Sequence, residues 1–261
     1  MKQKMKGLLH KALLLGGGLL AVAAGSGFYL VRRELTKLES TDPRVWESDI
    51  RTFEQEDRKT PPPQGAVLFV GSSSIRFWFG LPGAMHPLPV IRRGFGGAKL
   101  SDVLYYAHRI VLPYRPRAIV LFAGTNDIRG GAHDKTPVQL LDDLKMLVSL
   151  VEQQLPGTPL YYVSITPTTS RWQVWPQIQQ ANRVIAQYAR NQPNVHFIDA
   201  TPLLLTREGL PNRDMLWWDG VHLNRKGYRQ WGHLIRSRLM KDLYEPASPR
   251  PVVAEHQTTQ E

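Results

Sequence analysis

The sequence has 261 residues, 42% of them hydrophobic, with 21 Gly and 20 Pro, which suits one domain with a full core and excludes a fibre or a wholly disordered chain. No cysteine is present, and that removes thiolate catalysis, Cys-ligated zinc and iron–sulfur clusters. The formal net charge of +11 would suit nucleic acid, but beyond the amino terminus the Lys and Arg residues are dispersed along helical stretches, so they read as a solvated surface with no nucleic-acid partner.

The first segment is basic and then apolar. Residues 1–11 carry Lys2, Lys4, Lys6 and Lys11 and read as a cytoplasmic n-region; residues 12–31, from Ala12 to Val31, hold no charge, and Arg32-Arg33 close the run. Twenty helical residues cover about 30 Å, the hydrocarbon thickness of a bilayer. The lysines favour keeping that end in the cytoplasm, so the expected arrangement is a single-pass inner-membrane anchor with the remainder in the periplasm. The competing reading is a signal peptide cleaved after Ala21-Val22-Ala23, releasing a secreted or periplasmic protein; continuation of the apolar run through Phe28-Tyr29-Leu30-Val31 favours the anchor.

Residues 32–62 are expected to form a linker with one amphipathic helix. Asp42-Pro43 has the form of a cap and a first-turn proline, Val45, Trp46, Ile50 and Phe53 follow at helical spacing, and Pro61-Pro62-Pro63 ends the run. Residues 63–244 alternate short apolar runs with longer helical patterns, the rhythm of parallel strands joined by crossover helices. Five strands are expected: Ala66 to Val70, Val90 to Arg92, Ala118 to Phe122, Leu160 to Val163 and Val195 to Ile198. Thr136-Pro137 opens one helix with Leu140, Leu144, Leu147, Val151 and Leu155 on a stripe, Trp175-Pro176 opens another, and Asn224 can cap the last. Residues 245–261 lack periodicity and are expected to be a disordered tail.

In an open parallel sheet, functional groups collect beyond the carboxyl ends of the strands. There the sequence places Gly71-Ser72-Ser73-Ser74, Gly94-Phe95-Gly96-Gly97 and Gly124-Thr125-Asn126-Asp127, and just before the last helix Asp219-Gly220-Val221-His222. Each alone has a bland reading as a cap or a turn. Together they supply a serine, a histidine, a carboxylate three residues from it and donors for an oxyanion, the parts of nucleophilic acyl transfer. His133, beside Asp134 in a glycine loop, ranks below His222 as the base. No Gly-X-Ser-X-Gly elbow or His-Glu-X-X-His occurs, against an α/β-hydrolase or a metalloprotease, and no Gly-X-Gly-X-X-Gly follows the first strand.

The four blocks, with Trp218 to Asn224 and Lys226-Gly227-Tyr228, resemble the GDSL or SGNH hydrolase superfamily, and most closely its bacterial esterases similar to platelet-activating-factor acetylhydrolase subunits. The resemblance spans roughly residues 42–244. It implies a three-layer, flavodoxin-like α/β fold with a five-stranded parallel sheet in order 2-1-3-4-5. It also implies catalytic Ser73, Asp219 and His222, an oxyanion hole from Ser73, Gly97 and Asn126, and an ester substrate, with no cofactor or metal required. The superfamily's aspartate before the nucleophile is Ser72 here, and Ser74 is expected to cap the following helix. The implied activity is that of a membrane-anchored extracytoplasmic serine esterase. The alternative is a non-catalytic envelope module that binds glycans on the same scaffold through Trp78, Trp172, Trp175, Trp217 and Trp218.

Overall fold

A computed structural model describes residues 37–244. The expected n-region, the 12–31 membrane segment and the 245–261 tail lie outside the described residues. Among the described residues no helix is long and apolar enough to cross a membrane.

Five parallel strands form one sheet, β1 (Val67–Gly71), β2 (Val90–Gly94), β3 (Ala118–Phe122), β4 (Leu160–Val163) and β5 (Val195–Ile198), in the order β2-β1-β3-β4-β5. Helices cover both faces, as the expected three-layer fold requires. They are α1 (Glu47–Lys59), α2 (Ser73–Arg76), α3 (Leu81–Met85), α4 (Leu100–Ile110), α5 (Pro137–Gln154), α6 (Trp175–Arg190) and α7 (Arg225–Tyr244). Strand side chains alternate between faces, so neighbouring residues feed different cores. Leu68, Val70, Ile119, Leu121 and Tyr162 meet α1, α4, α5 and α6, whereas Val67, Phe69, Val120, Phe122 and Tyr161 meet α2, α3 and α7. Every residue of β1 and β3 is buried, which explains why these two runs are continuously apolar instead of alternating.

Two strands run further than their apolar residues suggest. β1 and β2 both continue to a glycine, and Gly71 pairs with Gly94 on one side and Phe122 on the other. A Cβ on Gly71 would lie 2.0 Å from the Phe122 carbonyl oxygen, and its φ is +143°, so only glycine brings the ends of β1 and β3 this close. β2 also carries Arg93 into the buried layer, where Nε donates to the Tyr114 hydroxyl at 2.6 Å and the guanidinium pairs with Asp57 at the end of α1. Burial, and then the bond to Asp57, push the Tyr114 phenol up to about 12.

The amphipathic helix expected within residues 32–62 is present and packs on this domain. Asp42 caps a 3-10 turn over Pro43–Trp46 by accepting the Arg44 amide, and α1 follows. Trp46 and Ile50 enter the core, Trp46 Nε1 donates to Asp102 at 3.1 Å, and Arg109 on α4 holds Glu47 at 2.8 Å and Glu54 at 2.6 Å. Asn224 caps the last helix: its Oδ1 accepts the Lys226 and Gly227 amides at 2.9 and 3.0 Å.

Candidate active site

Because β1, β2 and β3 end level with one another, the three loops that follow them leave the same edge of the sheet. Two cross-bonds fix their starts: Ser72 N–H donates to the Phe122 carbonyl at 3.0 Å, and Phe95 N–H to the Gly71 carbonyl at 3.1 Å. Ser73 is the first residue of α2, on a turn so tight that a Cβ on Gly94 would lie 2.1 Å from the Arg76 nitrogen. The helix begins two residues earlier than a Ser74 cap would allow. Ser72, extended at φ −85° and ψ −164°, occupies the cap position, and Ser74 is buried inside the helical turn. The chain turns directly after the positive-φ Gly71, so Ser72 is already in the cap position.

The acid and the base arrive on one short loop. Leu216 and Leu223 bridge its two arms, and the Asn224 amide donates across to the Leu216 carbonyl at 3.0 Å. Within it, Asp219 Oδ1 accepts the amides of Val221 at 2.9 Å and His222 at 3.0 Å, while Oδ2 meets His222 Nδ1 at 2.7 Å. A spacing of three residues is what lets one carboxylate serve both turn and imidazole. Burial raises the Asp219 carboxyl, but the hydrogen bonds from the His222 ring and from the two amides together outweigh it, so the group titrates below its ordinary value. An ionised Asp219 accepts, so Nδ1 carries the hydrogen and Nε2 faces Ser73 Oγ as acceptor, 2.8 Å away. Phe77 packs edge-on to the His222 ring at 5.1 Å, and Tyr228 on α7 donates to the Ser74 carbonyl at 2.8 Å, tying the helix behind His222 to the turn that carries Ser73.

Ser73, Gly97, Asn126 and His222 line one cavity of about 370 Å³, with Asp219 behind the histidine. Asn126 is buried, and one of its amide hydrogens goes to the Ala98 carbonyl at 3.1 Å. A Cβ on Gly97 would stand 3.8 Å from Asn126 Nδ2, so these two positions converge. All five residues expected from the sequence are therefore brought to one place. Asp134, by contrast, spends both oxygens on the amides of Arg129, Gly130 and Gly131, closing its own loop.

A model of the GDSL-like lipase/acylhydrolase family matches residues 71–230. The chain belongs to this family. GDSL-like acylhydrolases act on ester bonds, so this protein is a hydrolase of esters. No curated protein matches the sequence. Solved structures share the fold: a Streptococcus pneumonia protein provisionally described as a platelet activating factor (20% identity, 84% of this chain and 98% of that chain, TM-score 0.64); a GDSL-like lipase from Bacteroides thetaiotaomicron (21%, 74% and 98%, TM-score 0.64); and a carbohydrate esterase family 3 protein from Talaromyces cellulolyticus (19%, 69% and 98%, TM-score 0.56).

Leu38, Arg76, Phe77 and Arg171 also line the cavity of this family member, and Leu38 and Arg171 lie far in sequence from the motifs. Leu38 comes from the segment before the first turn, and its Cδ2 lies 1.8 Å from the position of a Gly97 Cβ. Arg171 comes from the 3-10 segment Thr169–Val174 after β4. Neither belongs to a motif or a periodic stripe, so only the contacts reveal them. The five tryptophans considered for a glycan platform do not share a surface: Trp78 and Trp175 are 2% and 6% exposed, whereas Trp218 is 96% exposed. Trp217 is the one whose ring stands near the site, 6.2 Å from that of His222.

Proposed function

We propose that this acylhydrolase is a serine esterase that works through Ser73, His222 and Asp219, with the oxyanion received by the backbone N–H groups of Ser73 and Gly97 and by the Asn126 amide. The observation that carries this reading is the hydrogen-bonded row Asp219–His222–Ser73, with distances of 2.7 and 2.8 Å, opening on a cavity that Asn126 and Gly97 share. His222 Nε2 takes the Ser73 proton as Oγ attacks the ester carbonyl. The carbonyl oxygen becomes an anion against the three donors, Asn126 having one amide hydrogen left after its bond to Ala98. The imidazolium, stabilised by Asp219, returns the proton to the leaving alcohol and an acyl-serine remains. Water, losing its proton to His222, then attacks the acyl carbon, and Ser73 leaves with that proton.

The setting we infer is extracytoplasmic, held at the inner membrane by residues 12–31. It is supported by the uncharged run from Ala12 to Val31 between Lys-rich and Arg-Arg flanks. A fluorophosphonate probe on the wild-type protein, followed by hydrolysis of esters of graded acyl length, tests the chemistry. Labelling of Ser73 with turnover is expected; a folded wild type that neither labels nor turns over any ester refutes it. Sequencing the mature amino terminus of membrane fractions tests the setting, and recovery only of a soluble form beginning near Ala24 would refute retention.

A further inference from the structure

Arg171 is an unusual residue to find in the wall of the cavity. Desolvation pulls its guanidinium down to about 10, and among the described residues no carboxylate lies within ion-pair distance of it. A largely desolvated cation that forms no ion pair, with Asp134 and Asp219 acting on it only from a distance, costs free energy that a neutral side chain in the same place would not. Its hydrogen bonds go instead to the loop after β3: one to the Thr125 carbonyl and one, from a terminal nitrogen at 3.1 Å, to Asn126 Oδ1.

That second bond decides which way the Asn126 amide faces. With Oδ1 engaged by a cation and one Nδ2 hydrogen engaged by Ala98, the remaining hydrogen has a fixed direction. A charged donor on Oδ1 also draws electron density from the amide, which strengthens Nδ2 as a donor. The adjoining residues Thr169 and Ser170 reach the other half of the site, donating to the backbone carbonyls of Gly220 at 3.3 Å and Asp219 at 2.6 Å. One loop thus touches both the oxyanion side and the acid–base side.

From this arrangement we propose that Arg171 is a positioning residue for the oxyanion hole, orienting the Asn126 amide and, through Oδ1, strengthening it as a donor to the oxygen that becomes negative in the transition state. The inference rests on the esterase reading. It explains why the guanidinium bonds to Thr125 and Asn126 instead of a carboxylate, because an ion pair would draw it away from Oδ1.

The test compares the full-length wild type with Arg171→Met, Arg171→Lys, Asn126→Ala and Asn126→Ala/Arg171→Met on 4-nitrophenyl acetate. Benzeneboronic acid serves as an inhibitor, since its tetrahedral adduct on Ser73 carries negative charge. Removing one oxyanion donor costs on the order of 10²–10³ in rate, so Arg171→Met should lower kcat by about tenfold or more with KM nearly unchanged. Boronate affinity should weaken by the same factor, and Arg171→Lys should recover part of the loss, restoring charge without the planar fork. In the Asn126→Ala background the Met substitution should cost about twofold or less, because its route through Asn126 is gone. Wild-type kcat in Arg171→Met, or its full loss repeated on top of Asn126→Ala, would overturn the proposal. So would a defect confined to the KM of an anionic ester such as 4-nitrophenyl hemisuccinate, which would make Arg171 a substrate anchor. If the Met variant does not fold, Arg171→Lys decides: lower kcat at constant KM supports positioning, and wild-type kcat refutes it. A wild type without esterase turnover would count against the esterase reading, whereas active wild type with indifferent Arg171 variants counts against this inference alone.

Discussion

Ser170 Oγ donates to the backbone carbonyl of Asp219 at 2.6 Å, and the Ser170 amide donates to Gly220 at 3.2 Å, so the loop after β4 is latched to the loop that supplies acid and base. Ser170→Ala removes the first bond and leaves the second. A net hydrogen bond is worth about 1 kcal/mol, and kcat should fall by up to about fivefold while the melting temperature stays close to wild type. Steady-state kinetics beside thermal unfolding separate the two; an unchanged kcat would show that the backbone bond alone holds the loop.

Among three consecutive serines, only Ser73 reaches His222 Nε2. Ser73→Ala should abolish turnover and fluorophosphonate labelling. Ser72→Ala should retain a measurable fraction, because the Ser72 side chain makes no capping hydrogen bond, and so should Ser74→Ala, whose contact with Tyr228 is through its carbonyl. Labelling of purified Ser73→Ala at wild-type stoichiometry is the result that sinks the assignment.

Asp219→Asn keeps an acceptor for the Val221 and His222 amides but can neither balance an imidazolium nor hold the Nδ1–H tautomer. The variant should fold, and its kcat should drop by as much as about 10⁴. His222→Ala should lose at least as much. Wild-type turnover in both variants would end the case for this pair.

The glycine that ends β2 and one that follows it differ in what a methyl group would meet. On Gly94 it would meet backbone, 2.1 Å from the Arg76 nitrogen, and on Gly97 the far end of the Leu38 side chain. Gly94→Ala should therefore give little folded protein. Gly97→Ala should fold but displace Leu38 and change the acyl preference, and Leu38→Ala combined with it should restore the wild-type preference. Expression yield and a graded ester series read out the contrast.

Asp127 is buried beside Asn126, and desolvation raises its carboxyl to about 6 against the pull of Lys135, 3.5 Å away, and of the Leu100 amide. Between the ordinary carboxylate value and about 6 the native state holds a proton that the unfolded chain releases, so this group favours folding as pH falls and loses that contribution as pH rises through 6. Relative to Asp127→Asn, the wild type should gain roughly 1 kcal/mol between pH 7 and pH 5, about a factor of ten in the folding constant. Urea unfolding of both proteins at the two pH values measures it; a difference independent of pH contradicts the raised value.

The sheet and the five site residues were legible because three motifs directly follow apolar strands, which a parallel sheet delivers to one edge, and because Asp219 and His222 stand three residues apart just before the last helix. The cap assigned to Ser74 failed because three consecutive serines are equivalent as cap residues by type, and only the turn directly after Gly71 selects Ser72, two residues earlier. Arg171 and Leu38 act through contacts tens of residues away in the chain, without a periodic pattern or a turn signature to mark them. The helix at 47–59 was legible from its spacing, but its grip on the domain was not, because Arg109 and Arg93 find Glu47, Glu54 and Asp57 only in the folded state.

The segment bearing Leu38 is fastened at several points: Lys37 to Asp49 at 3.2 Å, Glu39 to Arg129 at 2.6 Å, and the Ser40 carbonyl to Lys99 at 2.8 Å. Six residues separate Leu38 from Val31, the last residue of the uncharged run, and the seven Cα steps between them span at most about 25 Å however the chain is arranged. With the anchor retained, the mouth of the cleft is tethered within that radius of the outer leaflet. The accessible substrates are then esters embedded in, or standing on, that thin shell of the envelope, and lengthening the tether with a flexible insert should widen the range of esters the enzyme reaches in cells while leaving its turnover of a soluble ester unchanged.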